Sequence, residues 1–172
     1  RSIRRQRQMC IRDSDCFEVI RGFNYVGSHL EKVKNNKELL GPNVIDNVER
    51  GLKYSMEDIT WAHQEQTKIY NNFRKFFENY DVLICPAASV SPFPHEQLFV
   101  KEINNEKLPT YMRWLALSYA PTMAIPCAWA LPCGLDHKNL PFGIQLIAPA
   151  GNDAKLSEIA LAIEDALSNH EE

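Results

Sequence analysis

No apolar run in this chain approaches the roughly eighteen residues that a membrane-spanning helix needs, and its start lacks the apolar core of a secretory signal. Those absences argue against a membrane partner and favour a cytoplasmic location. Paired cysteine spacing is missing too. Cys10, Cys16, Cys85, Cys127 and Cys133 are odd in number and spread along the chain, unlike a disulfide scaffold or a zinc ribbon, so reduced thiols are expected. Cys127, Cys133 and His137 have gaps that match no usual metal-ligand pair, and no fourth ligand is evident. Small buried side chains in strands are the better reading of these thiols. A large charge of one sign is also lacking: the net charge is −3, with Lys and Arg interleaved with Asp and Glu after residue 14. A nucleic-acid partner is therefore not expected.

What is present is an ordinary globular composition. In 172 residues, 45% hydrophobic and 24% charged side chains suffice for one domain with a real core and argue against disorder. Residues 1–14, RSIRRQRQMCIRDS, stand apart: they are strongly basic, and their pattern does not continue past Asp15. The stretch Met9-Cys10-Ile11-Arg12-Asp13 can be encoded as ATG TGT ATA AGA GAC, which resembles the transposase mosaic-end adapter used in sequencing libraries. The expected organisation is a non-native, adapter-derived segment over 1–14 and one domain over 15–172. A basic arm for nucleic acid or an anionic membrane is disfavoured, because it has neither an apolar face nor interleaved aromatics.

The body alternates helical and strand signals. Residues 15–36 carry apolar positions at helical spacing, with a softening expected near Gly27. Gly41-Pro42 breaks the chain, and Pro42 suits the first turn of a short helix that Gly51 ends. Ser55 and Asp58 form a capping-box-like start for a long helix to about Asn79, whose stripe of Ile59, Ala62, Ile69, Phe73, Phe76, Phe77 and Tyr80 predicts a core face. Glu65 belongs to another face, and His63 reads as a surface histidine. Next, Asp81-Val82-Leu83-Ile84-Cys85-Pro86 has the continuous apolar character of a strand buried on both faces. The Pro- and Ser-containing loop 87–94 leaves the end of that strand, where α/β folds place ligand contacts. A turn is expected at Asn104-Asn105, a short helix over 110–119, strands over 128–131 and 141–148 joined by a turn through 134–139, and a bulge or close backbone approach at Gly143. Asn152 or Asp153 caps a final helix with a buried stripe of Leu156, Ile159, Ala160, Ile163 and Leu167, followed by an acidic, fraying end.

Three segments in this order resemble the C-terminal region of amidase-signature enzymes. They are Tyr80-Asp81-Val82-Leu83-Ile84-Cys85-Pro86 after a long helix; 128–131 followed by Pro132-Cys133-Gly134; and, most specifically, Leu140-Pro141-Phe142-Gly143-Ile144-Gln145-Leu146-Ile147. The helix over 153–167 resembles the family's closing helix, and the likeness covers nearly everything from Asp15 onward. The chain departs from the family pattern at Ile125-Pro126-Cys127 and Ala130, where a Gly-Leu-Pro-like step and a serine are usual. The segments 91–96 and 110–114 look more like those of stand-alone amidases than of amidotransferase subunits. The fold implied is α/β, the C-terminal part of the amidase-signature fold, with a mixed central sheet covered by helices on both faces.

The resemblance implies cleavage of carboxamides by acyl transfer, with a serine nucleophile, a second serine in a cis peptide and a lysine that manages the proton. A buried lysine of depressed pKa can take the proton that makes a serine hydroxyl nucleophilic, and a Gly- and Ser-rich loop supplies N–H donors to the oxyanion. This chain has no adjacent serines and no Gly-Ser-Ser-like loop, so no catalytic residue is assigned to it. Ser89 or Ser91 with His95, and Cys85 with His95 or His137, are weak substitutes, since geometry rather than sequence proximity defines such pairs. Pro86, Ala87, Ala88 and Trp114 are expected to line the wall of an acyl-binding pocket, although a core tryptophan is the commoner fate of Trp114. No cofactor and no metal are implied. The expected partners are a small-molecule amide and the N-terminal catalytic part of the same protein, with a homodimer left open. The alternatives are the amidase subunit of a tRNA-dependent amidotransferase, acting on a glutamine amide, and a non-catalytic binding module.

Overall fold

The computed structural model describes residues 2–124 and 126–168, with side chains described over 13–124 and 126–167. Contacts divide the chain into two compact units, Arg1–Ile69 and Tyr70–Glu172.

The first unit is helical. Helix α1 (Ser2–Asn35) runs through both Asp15 and Gly27 without interruption. The backbone of residues 2–14 is continuous with this helix, and Ser14 is buried. Gly27 does not soften the helix, because one glycine costs only about 1 kcal/mol, which the neighbouring turns absorb. Helix α2 (Pro42–Gly51) begins as expected, with Gly41 as N-cap and Pro42 in its first turn. It packs on α1 through two glycines: a Cβ on Gly51 would lie 2.2 Å from the Gly22 carbonyl oxygen. Arg21 Nε donates to Asn47 Oδ1 at 3.1 Å and Val48 is fully buried, so polar and apolar contacts hold the same crossing.

Helix α3 (Met56–Phe77) starts at the capping box. Ser55 N–H donates to Asp58 Oδ2 at 2.8 Å, and Asp58 N–H donates back to Ser55 Oγ at 3.1 Å. Aspartate thus closes the box that glutamate usually closes. Its carboxyl is held below the ordinary value by the backbone N–H of Ser55 and then by its hydroxyl. Ala62 and Ile69 are buried as the stripe predicts, but the aromatic end of the stripe is not core. Phe73, Phe76 and Phe77 are half-buried and Tyr80 is exposed; Phe76 stacks on Tyr80 with centroids 4.6 Å apart and meets Phe77 edge-on at 5.2 Å. Glu65, expected on a solvated face, is buried, and Lys68 donates to it at 2.6 Å. His63 is exposed as expected.

The second unit is built on a three-stranded antiparallel sheet of order β1 (Leu83–Pro86), β5 (Pro141–Ala148), β4 (Cys127–Leu135). Ile84, Leu146 and Trp129 share one register row, and Pro86, Ile144 and Leu131 another. Side chains alternate across a strand, so these rows face one side. There Leu131, Leu146 and Ala148 pack with Leu156 and Ala160 of helix α5 (Asp153–Ser168). The opposite side carries Gln145 and the fully buried Ile147, and Gln145 reaches helix α4 (Ala116–Thr122) there. The sheet is thus flanked by a helix on each side, in an α/β arrangement.

β1 is less buried than its sequence suggests, with Ile84 49% exposed, because β1 is an edge of this sheet. Leu167 is 37% exposed and lies beyond the part of α5 that packs on the strands. β4 extends past the expected 128–131 through a register shift between Pro132 and Leu135, with Gly134 at φ 89°. The Asn104-Asn105 turn joins β2 (Glu102–Ile103) to β3 (Glu106–Lys107), both asparagines having the positive φ that a tight hairpin requires. The expected acidic end at 169–172 and the Ile125 departure lie outside the described residues.

Candidate functional site

The loop leaving β1 bounds a cavity of about 550 Å³. Its walls are residues 86–93, Trp114 and residues 141–143. Pro86, Ala87, Ala88 and Trp114, separated by up to 28 positions in sequence, all line this one cavity.

The backbone at the cavity rim is pinned from three directions. Ala87 N–H donates to the Gly143 carbonyl at 2.9 Å, continuing the β1–β5 ladder by one residue. Ser118 Oγ donates to the Ala87 carbonyl at 3.3 Å. Gln145 Nε2 donates to the carbonyls of Pro86 at 3.2 Å and Leu117 at 2.8 Å. The motif glutamine is therefore a clamp that ties the end of β1 to α4, and it touches two carbonyls that would otherwise be short of a donor. Gly143 is needed for close approach: a Cβ there would sit 3.0 Å from the Leu131 carbonyl oxygen and 3.8 Å from the Ala87 Cβ. The close backbone approach expected at this glycine is present.

The floor of the cavity is aromatic. Phe93 and Trp114 meet edge to face, with ring centroids 5.5 Å apart and planes at 78°. Phe93 belongs to the loop 87–94 expected to contribute to a site wall, but nothing in a proline-punctuated loop marks which of its side chains turns inward; its spacing from Trp114 is set by tertiary structure alone. Ser89 also lines the cavity, and its hydroxyl oxygen is buried with no hydrogen-bond partner.

The weak catalytic pairings gain no support from geometry. His95 is exposed and its Nδ1 lies 3.4 Å from Glu96 Oε1 rather than near a serine or thiol. Burial pushes the Cys85 thiol up, with a side-chain hydrogen bond from Gln145 only partly opposing it, so it is a poor nucleophile at neutral pH. Cys127 Sγ donates to the Pro149 carbonyl at 3.2 Å, a contact of a structural thiol. No group of three or more His, Cys, Asp or Glu side chains among the described residues is placed to hold a metal ion, and no described helix is long and apolar enough to cross a membrane.

The turn after β4 is organised by Asp136. Its Oδ1 accepts the N–H groups of Lys138 at 2.8 Å and Leu140 at 3.0 Å, and those donors hold its carboxyl below the ordinary value. This fixes the entry into β5 and so the position of residues 141–143 in the cavity wall.

Comparison with known proteins agrees with this architecture. One of the subunits of the glutamyl-tRNA(Gln) amidotransferase of Streptomyces avermitilis is 34% identical over 106 residues, which is 61% of this chain and 20% of that protein. The chain spans only about a fifth of the length of the curated relatives it matches. A crystal structure of an amidase superposes with a TM-score of 0.76 at 18% identity, over 90% of this chain and 35% of that one. An inhibitor-bound structure from a vestigial complex tied to the origins of an s-triazine catabolic enzyme gives 0.79 at 20% identity, over 91% and 34%. At such identities these likenesses show the fold. The sequence profile of the family described as Amidase matches residues 20–156, well over half of the chain, and the chain therefore belongs to the amidase-signature family.

Proposed function

We propose that this chain is the C-terminal part of an amidase that hydrolyses a carboxamide with water to a carboxylate and ammonia, or an amine, and that its role is to build one wall of the acyl-binding pocket. The observation that carries the proposal is the convergence of Pro86, Ala87, Ala88 and Trp114 on a single cavity at the end of β1. In this reading the Ser-Ser-Lys machinery lies outside these residues, and the chain by itself is inactive. The clamps on the Pro86 and Ala87 carbonyls hold the wall rigid, which is what substrate positioning needs.

A second reading has a specific observation behind it: several curated relatives are subunits of glutamyl-tRNA(Gln) amidotransferase. The protein would then work with partner subunits on a glutamine amide. The test is to recover the complete gene, purify its product and assay ammonia release from simple amides and from glutamine. Release by the product alone, lost when the signature serine is replaced, supports the stand-alone amidase. Activity that appears only with partner subunits and glutamine supports the second reading, and no release under either condition overturns both.

A further inference from the structure

Three separate stretches of chain line the cavity at the end of β1: residues 86–93, Trp114 and residues 141–143. One side chain is joined to all three. Gln145 lies two residues beyond Gly143 on β5, and its Nε2 donates to the Pro86 carbonyl at 3.2 Å and to the Leu117 carbonyl at 2.8 Å. Leu117 is in the first turn of α4, which follows directly on the 3-10 turn Arg113–Leu115 that carries Trp114. A second bond closes the same joint, because Ser118 Oγ donates to the Ala87 carbonyl at 3.3 Å. All of these donors and acceptors come from this chain, so the geometry of the joint is set within it. A primary amide suits the place because one neutral nitrogen carries two N–H donors. Methionine, of similar length, offers neither, and a carboxylate would face two carbonyl oxygens with no proton to give.

We infer, resting on the amidase reading above, that Gln145 is a positioning residue for amide hydrolysis: it holds the loop after β1 and the turn carrying Trp114 at a fixed separation. Gln145 is not itself among the residues that line the cavity, so it acts on the reaction through those that do. Where this wall sits decides how the substrate is presented to the nucleophile, and a displacement of about 1 Å in such a wall can cost about a hundredfold in rate. The joint is uncharged. Helix α4 contains no Asp, Glu, Lys, Arg or His, and the neighbour of Gln145 on β4 is Ala130. Opposite it on β1 is Cys85, whose thiol burial pushes up and which therefore stays neutral around pH 8. A carboxyl group placed at position 145 would be the group that titrates there among the described residues, and the two carbonyl oxygens would favour its protonated form.

The test uses the complete protein and ammonia release from benzamide, propionamide and glutamine, the fastest of the three being used throughout. Gln145→Glu, Gln145→Met, Ser118→Ala and the Ser118→Ala/Gln145→Met double variant are compared with the parent, and circular dichroism gives the folded fraction at each pH. At about pH 5.5, where the protonated acid still donates one hydrogen bond, kcat/KM of folded Gln145→Glu is expected within about tenfold of the parent. By about pH 8 the ratio is expected to fall a further tenfold or more, on an apparent pKa above the ordinary carboxylate range. Gln145→Met is expected to lose about tenfold at both pH values and Ser118→Ala about threefold, with the double variant no worse than Gln145→Met, because the two bonds hold one joint. If Gln145→Glu does not fold, the other three variants decide the matter. Folded variants as active as the parent at both pH values, with only a lowered urea midpoint, assign Gln145 to stability alone and overturn the inference. So do losses that multiply in the double variant, or a Gln145→Glu ratio that does not change with pH; all three leave the amidase reading standing. No ammonia from the parent with any amide overturns the amidase reading, and the inference falls with it.

Discussion

Cys16 has no exposed surface, and its thiol donates to the Ala62 carbonyl at 3.0 Å. Burial pushes its pKa up to about 11, with Asp13 and Glu65 adding to the rise. A thiol whose folded pKa lies above its unfolded value stabilises the fold fully below the unfolded value and ceases to do so as pH rises through the folded one. At about pH 8 a thiol reagent is therefore expected to modify half-buried Cys133 well before Cys16; mass spectrometry that finds Cys16 labelled first would contradict the buried hydrogen bond. Asp136 has the opposite sign. Its folded pKa lies below the ordinary 3.8, so its contribution is present above that value and lost as pH falls beneath it. Amide exchange at Lys138 and Leu140, corrected for intrinsic rates, is expected to show constant protection between about pH 5 and about pH 8 and a loss on further acidification. A turn through residues 134–139 was readable in the sequence, but that one carboxylate oxygen accepts two N–H groups depends on how the turn closes in three dimensions.

At the scale of elements, the crossing of α1 and α2 makes the firmest demand on residue identity. Gly51→Ala would place a methyl group 2.2 Å from a backbone oxygen and 2.7 Å from Val26 Cγ2, so the two helices must separate. A loss of about 1–3 kcal/mol is expected, read as a lower urea midpoint by circular dichroism. Gly27→Ala meets nothing within 4 Å and should instead stabilise α1 by up to about 1 kcal/mol. Equal effects of the two substitutions would remove the close crossing from consideration. Gly51 was legible as a helix terminator and it does end α2, yet its packing role was not, since Gly22 is 29 positions away and no local pattern pairs them. The aromatic end of α3 is not core for a related reason: helical spacing gives the shared face of Phe73, Phe76 and Phe77 but does not supply a partner for it, and the rings meet one another instead, Phe73 tilted and Phe76 edge-on against Phe77.

For the molecule as a whole, the sheet decides behaviour. β1 and β4 are its two edges, and Ile84, Trp129 at 43% and Leu135 at 63% are exposed on them. Unpaired strand edges with apolar side chains template association. Residues 15–172 expressed alone are expected to be poorly soluble or only partly folded, as judged by light scattering and dye binding; a monomer with sharp cooperative unfolding would show that the sheet is self-sufficient. By itself the sequence determined α2, α3, α5 and the body of α1, the β1 and β5 strands, the capping box, the Asn104-Asn105 turn and the family, because each rests on local spacing, backbone chemistry or a contiguous motif; the helix expected over 110–119 instead lies at Ala116–Thr122, after a 3-10 turn at Arg113–Leu115. It also named four residues that share one cavity. Only the tertiary structure decided that Phe93 joins Trp114 there, that Gln145 clamps two carbonyls, that Gly22 faces Gly51 and which strands are edges, because those depend on which distant segments meet, and no period or motif within one segment encodes its partner.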